Sequence, residues 1–431
     1  MRKIKPPPFN ARQNISEERL PKMRNFFKFK NASSVTGKIT AKRILTITVC
    51  PVLLAAVILA CINIGDVIKR VGSEAVYGDY DINLIYYNHL SLKQKKLYNS
   101  ITDASELCSE YTEILDYTYD ENDITKVIKY IRAEHPELFY VDFGSLEIQN
   151  SYRKSMVKMA YCASSEQIDI MKKELEYKLG QIVSLTAESE ENFRKILILH
   201  DALIASCSPV NSDESSNPLY RSAYGAIVLG KASADGYAQA YGLLLEKSGI
   251  YSCLVFGNQR KSGANLVWNL VCDNGNYYHV DTLWDDPEIP ENPDTALHAY
   301  FAISTTEISF ERNIYDREII PSSENVPDYY SLVLRKANNE QELADILAPL
   351  IAELEETGTR YGEIYVPFSP SDEQLYGAIT DAIRNVNIKS ENGKLILAIA
   401  DTYPISDRPG YIVFKLYYAD ETTKTNYSKF I

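Results

Sequence analysis

Apolar and polar positions change period along this chain, and the changes mark its elements. Leu90 to Ile101, Ile124 to Glu134 and Glu166 to Val183 carry helical spacing, so residues 65–188 read as a mainly helical region. Glu190 to Ser206 is another helix, with His200 and Asp201 inside its apolar run, where a packed, hydrogen-bonded histidine is the expectation. Ala234, Tyr237, Ala238, Tyr241, Leu244, Leu245 and Ser248 recur at i, i+3, i+4 and i+7, which predicts an amphipathic helix. Ser233 or Asp235 can cap its start, and Gly249 stands where a glycine ends helices. The run from Leu254 to Gly257 reads as a strand. Two more apolar runs flank Asn274-Gly275, the strongest short hairpin signal in the chain. A two-residue turn there sets Trp268 opposite Asp281 and leaves Leu266 diagonal to Asp281 on the same face. Tyr300 to Ser304 reads as a further strand. Beyond about residue 327, helices at Asn339–Glu356 and Ser371–Val386 alternate with strands at Glu363–Phe368, Leu395–Ala400 and Tyr411–Tyr418. That alternation predicts a small α/β domain on its own sheet.

One apolar stretch belongs to no such pattern. Ile44 to Ile64 carries no charge and is long enough to cross a bilayer as a helix, Pro51 included. Residues 1–43 precede it with 12 Lys and Arg against Glu17 and Glu18. The positive-inside rule places such an arm in the cytoplasm and the main body outside it, as in a single-pass protein of the cell membrane. A cleaved signal peptide has a shorter apolar core, so 44–64 is expected to be an uncleaved anchor.

Composition sharpens the picture in three places. The net charge of the 431-residue chain is −13, and since the arm is basic the body is more acidic still. An acidic body argues against nucleic acid as its partner. The 32 tyrosines supply ordinary packing or a stacking surface for peptides or glycans. The seven cysteines are scattered, with no Cys-x-x-Cys and no Cys/His spacing suited to zinc, so the sequence implies no metal and no cofactor. They read as buried thiols rather than a disulfide framework. Gly225 to Lys231 has the length of a phosphate loop, but Ala232 stands where Ser or Thr must hold magnesium, which argues against nucleotide binding.

Ala234-Asp235-Gly236-Tyr237-Ala238, Leu266-Val267-Trp268-Asn269 and the run from Tyr278 to Pro287 follow one another in an order that resembles the core of transglutaminase-like domains, the papain-fold group of many bacterial surface proteins. In that family the three boxes are Cys-x-Gly-Tyr-Ala, His-Ala-Trp-Asn and Tyr-x-Val-Asp-x-Thr-Trp-Asp-Asp-Pro. They supply Cys, His and Asp for thiol acyl transfer. His135 to Tyr140 resembles a box often found upstream of that core. The resemblance puts Ala234 at the nucleophile, Leu266 at the base and a retained Asp281 at the orienting carboxylate. It therefore implies a catalytic triad that is not intact. Ser233 lacks a base, His279 lies on the wrong strand, and Cys272 falls at the wrong end of the hairpin to restore it.

The expected fold class is α+β. An N-terminal transmembrane helix (44–64) follows the basic arm (1–43). The helical region (65–188) leads into a papain-like transglutaminase core, a helix packed on antiparallel sheet (189–325), and then the C-terminal α/β domain (326–431). The expected function is a catalytically inactive, extracytoplasmic module that binds a cell-surface peptide, protein or glycan, with Tyr237, Trp268, His279 and Trp284 as candidate contacts. One alternative is an active thiol peptidase or acyltransferase with its catalytic residues elsewhere. The other is a purely structural surface module.

Overall fold

The structure is a computed structural model that describes residues 84–211, 217–286, 296–357, 361–367, isolated positions between 374 and 382, 396–404 and 410–418. The expected arm 1–43, the expected membrane span 44–64 and Pro287 lie outside the described residues. Among those described, no helix is long and apolar enough to cross a membrane. The expected helix 371–386 also falls largely outside them.

After a single helical turn at Ile85–Asn88 come three longer helices. They are α1 (Leu92–Glu106), α2 (Glu121–Glu134) and α3 (Ser165–Val183). Local chemistry fixes their starts. Ser91 with Gln94 and Ser164 with Gln167 form reciprocal capping boxes, and Asp120 caps α2 through the Asp123 N–H. This region is not helical throughout. A hairpin, β1 (Glu147–Ser151) and β2 (Lys154–Lys158), interrupts it. Its strands are mostly exposed on one side and give no clean apolar alternation, so periodicity passes over them.

The main core is built around α5 (Ala234–Lys247), with α4 (Asn192–Ser206) and α3 against it. Its sheet has strands β3 (Tyr251–Gln259), β4 (Asn265–Asp273), β5 (Asn276–Val280) and β6 (Arg312–Ile314), in the order β5-β4-β3-β6, all antiparallel. Every residue of α5 from Gly236 to Leu245 is buried. The helix is thus enclosed all round rather than amphipathic, with strands β3 and β4 on one side and helices on the other. Its end is a Schellman motif. The Gly249 N–H donates to the Glu246 carbonyl and the Ile250 N–H to the Leu245 carbonyl, with Gly249 at φ +74.

Tyr300 to Ser304 does not form the expected strand. Ala302 sits at φ +53, which breaks an extended run, and only Ile303 bridges to His279. The outer strand beside β3 is β6 instead. In the C-terminal part, α6 (Glu340–Thr357) accompanies β7 (Tyr361–Tyr365), β8 (Ile396–Pro404) and β9 (Tyr411–Tyr418). These strands pair antiparallel in the order β8-β9-β7, so the expected α/β alternation folds as a helix with an antiparallel sheet. Leu343, Leu347, Ile351 and Ile364 give this part an apolar core of its own. The described architecture is mixed helix and antiparallel sheet, α+β.

Candidate functional site

The hairpin β4–β5 carries Leu266 and ends one residue before Asp281. Asn274 (φ 51) and Gly275 (φ 85) both adopt left-handed backbone, as a type I′ turn requires. The register pairs Asp273 with Asn276 and Asn269 with Val280. Continued by one residue, it sets Trp268 against Asp281, as the turn demands. Asp281 itself leaves the ladder, its N–H donating to the Tyr300 carbonyl at 3.1 Å. Asn269 ties the hairpin to the helix, donating from Nδ2 to the Ala238 carbonyl at 2.9 Å. The first turn of α5 is crowded from the other side. A Cβ on Gly236 would meet the Ala232 Cβ and the Tyr220 carbonyl, each at 2.7 Å, which is why glycine stands there.

The three family positions hold an alanine, a leucine and an aspartate. Ala234 opens α5 half-buried, and Leu266 is 8% exposed. Ser233 holds the N-cap position, yet its hydroxyl makes no capping bond and is buried without a partner. Asp281 is engaged. Its Oδ1 accepts the Trp284 N–H at 3.1 Å, and its Oδ2 accepts Nη1 of Arg312 at 2.5 Å. Arg312 and Asp281 are 1% and 2% exposed. The guanidinium lies against the rings of Trp268, Trp284 and Tyr300 at 5.0, 4.9 and 4.7 Å. Its Nε and Nη2 meet no acceptor among the described residues.

His279 is fully buried beside this pair. It accepts the indole N–H of Trp268 at Nδ1 (3.0 Å), so its proton sits on Nε2, 3.1 Å from the Thr305 hydroxyl. Burial, reinforced by Arg312 and Arg317, pushes its pKa down to about 3. Burial thus favours its neutral form, held between Trp268 and Thr305. Tyr237 is also fully buried, donating its hydroxyl to Asp286 at 2.6 Å. Of the four contact candidates, Tyr237, Trp268 and His279 are enclosed, and Trp284 alone is half-buried. Among the cysteines, Cys108, Cys162, Cys207, Cys253 and Cys272 are free. Burial pushes the thiols of Cys162 up to about 11 and of Cys207 and Cys253 up to about 12. Cys272 is only half-buried, not the enclosed apolar residue expected.

A second polar cluster lies where α4 meets the segment before Tyr300, and sequence spacing does not show it. His200 and Asp201 on α4 meet His298, which precedes the Tyr300–Ser304 turn. Asp201 Oδ1 lies 2.8 Å from His200 Nδ1 and 3.0 Å from His298 Nε2. The far nitrogen of each imidazole faces another carboxylate. His200 Nε2 is 3.3 Å from Asp285, and His298 Nδ1 is 2.5 Å from Glu363 on β7. Burial by itself lowers an imidazole pKa, but Glu363 and Asp201 outweigh it at His298 and raise it to about 10. His298 also stacks on Tyr329, with ring centroids 4.2 Å apart. His298 belongs to no motif, so the sequence offers no signal for it beyond its being one of five histidines.

Fold and site together define a helix-on-antiparallel-sheet protein whose polar interior holds a buried Arg–Asp pair and a His–carboxylate cluster. No protein-family model matches the chain, and no curated protein does. Solved structures do. One is a transglutaminase (TGase), 8% identical, TM-score 0.24, covering 39% of this chain and 49% of that one. A proposed protease from Parabacteroides distasonis is 12% identical, TM-score 0.22, covering 32% of this chain and 35% of that one. A proposed cysteine protease from Cytophaga hutchinsonii is 12% identical, TM-score 0.22, covering 35% and 64%. These are partial likenesses, each spanning less than two thirds of the solved chain.

Proposed function

We propose that this chain is a membrane-anchored, extracytoplasmic protein whose transglutaminase-like core has no thiol chemistry and works as a binding or scaffold module at the cell surface. The observation that carries the reading is the engagement of Asp281 by Arg312. With Ala234 and Leu266 at the nucleophile and base positions, a lone carboxylate would be left over. Here it neutralises a buried guanidinium instead. The position is committed to structure. The raised thiol pKa values of Cys162, Cys207 and Cys253 speak against these three as nucleophiles, because a reactive cysteine needs its thiolate. The anchor and the outward orientation rest on residues 1–64 of the sequence.

Loss of both a nucleophile and its base typically costs on the order of 10⁶ in rate. The purified full chain is therefore expected to turn over no thioester, amide or glutamine substrate, and to take no covalent label from thiol-directed inhibitors on α5. Steady turnover that alkylation of the cysteines abolishes overturns the reading.

A further inference from the structure

We propose that His200, Asp201 and His298 form a binding site for a late first-row divalent metal ion, zinc foremost. Their ligand atoms are His200 Nδ1, Asp201 Oδ1 and His298 Nε2, and all lie within 4.8 Å of one another. The two contacts to Asp201 are 2.8 and 3.0 Å. A tetrahedral ion bonded at about 2.0–2.2 Å separates its ligands by roughly 3.3 Å, so the two contacts to Asp201 need to open by only a few tenths of an ångström.

The surroundings resemble a metal centre more than an ordinary hydrogen-bonded histidine. Metal-bound imidazoles almost always donate their other N–H to a carboxylate or carbonyl, which fixes tautomer and ring orientation. Both rings here are held that way, His200 by the fully buried Asp285 and His298 by the buried Glu363. Asp285 is fixed in turn by the Tyr300 N–H at 2.9 Å, and Glu363 by the His298 N–H at 2.9 Å and the Tyr330 hydroxyl at 3.0 Å. Two imidazole nitrogens disfavour calcium and magnesium, which take oxygen ligands, and suit zinc or its neighbours. Asp201 is the one member open to solvent, its side chain 45% exposed. It marks the entry path and leaves room for a water as fourth ligand. With ligands from α4 and the segment before Tyr300, and support from β7, the ion would pin the main core to the C-terminal sheet.

The test loads the metal-stripped full chain with Zn²⁺ alone. The expected result is one equivalent retained through gel filtration and released by chelator, with low-coordinate ligand-field bands when Co²⁺ replaces Zn²⁺. Asp201→Asn changes a half-exposed side chain of equal shape and should keep the fold by circular dichroism while losing tenfold or more in affinity. Glu363→Gln should weaken binding by about 10- to 100-fold through the His298 ring it orients. Failure of the folded wild-type chain to hold zinc at micromolar concentration overturns the site. So does binding that Asp201→Asn and His298→Gln leave unchanged, or that disappears only when the thiols are alkylated. None of these outcomes bears on the absence of acyl transfer.

Discussion

Taking a guanidinium out of water costs several kcal/mol unless its charge finds a partner. Arg312 finds a carboxylate on one side and three aromatic faces around it, Trp268, Trp284 and Tyr300. Removing only the cation leaves Asp281 buried and unpaired. Arg312→Met is therefore expected to lower stability by about 3–5 kcal/mol, and adding Asp281→Asn should recover part of that loss. Urea unfolding read by tryptophan fluorescence checks it directly, since the chain's two tryptophans both lie against Arg312. A double variant no more stable than the single one would show that charge pairing is not what holds the residue. Nothing near Arg312 in sequence announces this role. Asp281 stood out because its flanking Val280, Thr282 and Trp284 form a motif, but its partner lies 31 positions away.

Among the elements, those with local causes were legible. The turn at Asn274-Gly275 follows from two residues that tolerate positive φ, and the ladder from Asp273 to Val280 follows from the turn. Helix α5 was legible from its period, although its burial on all sides was not. Strand β6 was missed because three residues carry no alternation. It forms only because β3 offers Gly257 to Gln259 as partners. Gly257 makes that approach possible, since a Cβ there would meet the Asn313 carbonyl at 2.2 Å and the Trp268 ring at 2.7 Å. Gly257→Ala should push β6 away, disturb the stacking of Arg312 on Trp268, and cost about 1–3 kcal/mol as overpacking does. Denaturation at a lower urea concentration, together with a shifted tryptophan emission, is the expected result. Unchanged emission would mean that β6 absorbs the methyl without moving.

On the scale of the whole molecule, two apolar cores meet at polar groups. Glu363 on β7 holds His298 of the main core, and the Tyr330 hydroxyl donates to the same carboxylate. The body so formed is expected on the outer side of the membrane, with the basic arm inside. An impermeant lysine reagent applied to intact cells should label the body and spare residues 1–43. Labelling of the arm with a protected body would reverse the orientation.

The sequence by itself determined what short-range chemistry determines. It marked the helix that opens at Ala234 and the hairpin at Asn274-Gly275. Each depends on a period, a dipeptide or a residue type within a few positions. Tertiary structure decided what Asp281 is for, which strand closes the sheet, and that His200, Asp201 and His298 meet. Those outcomes join residues 31 to 97 positions apart. They depend on which strand finds which edge and which buried charge needs a partner, and neither leaves a periodic trace in the chain.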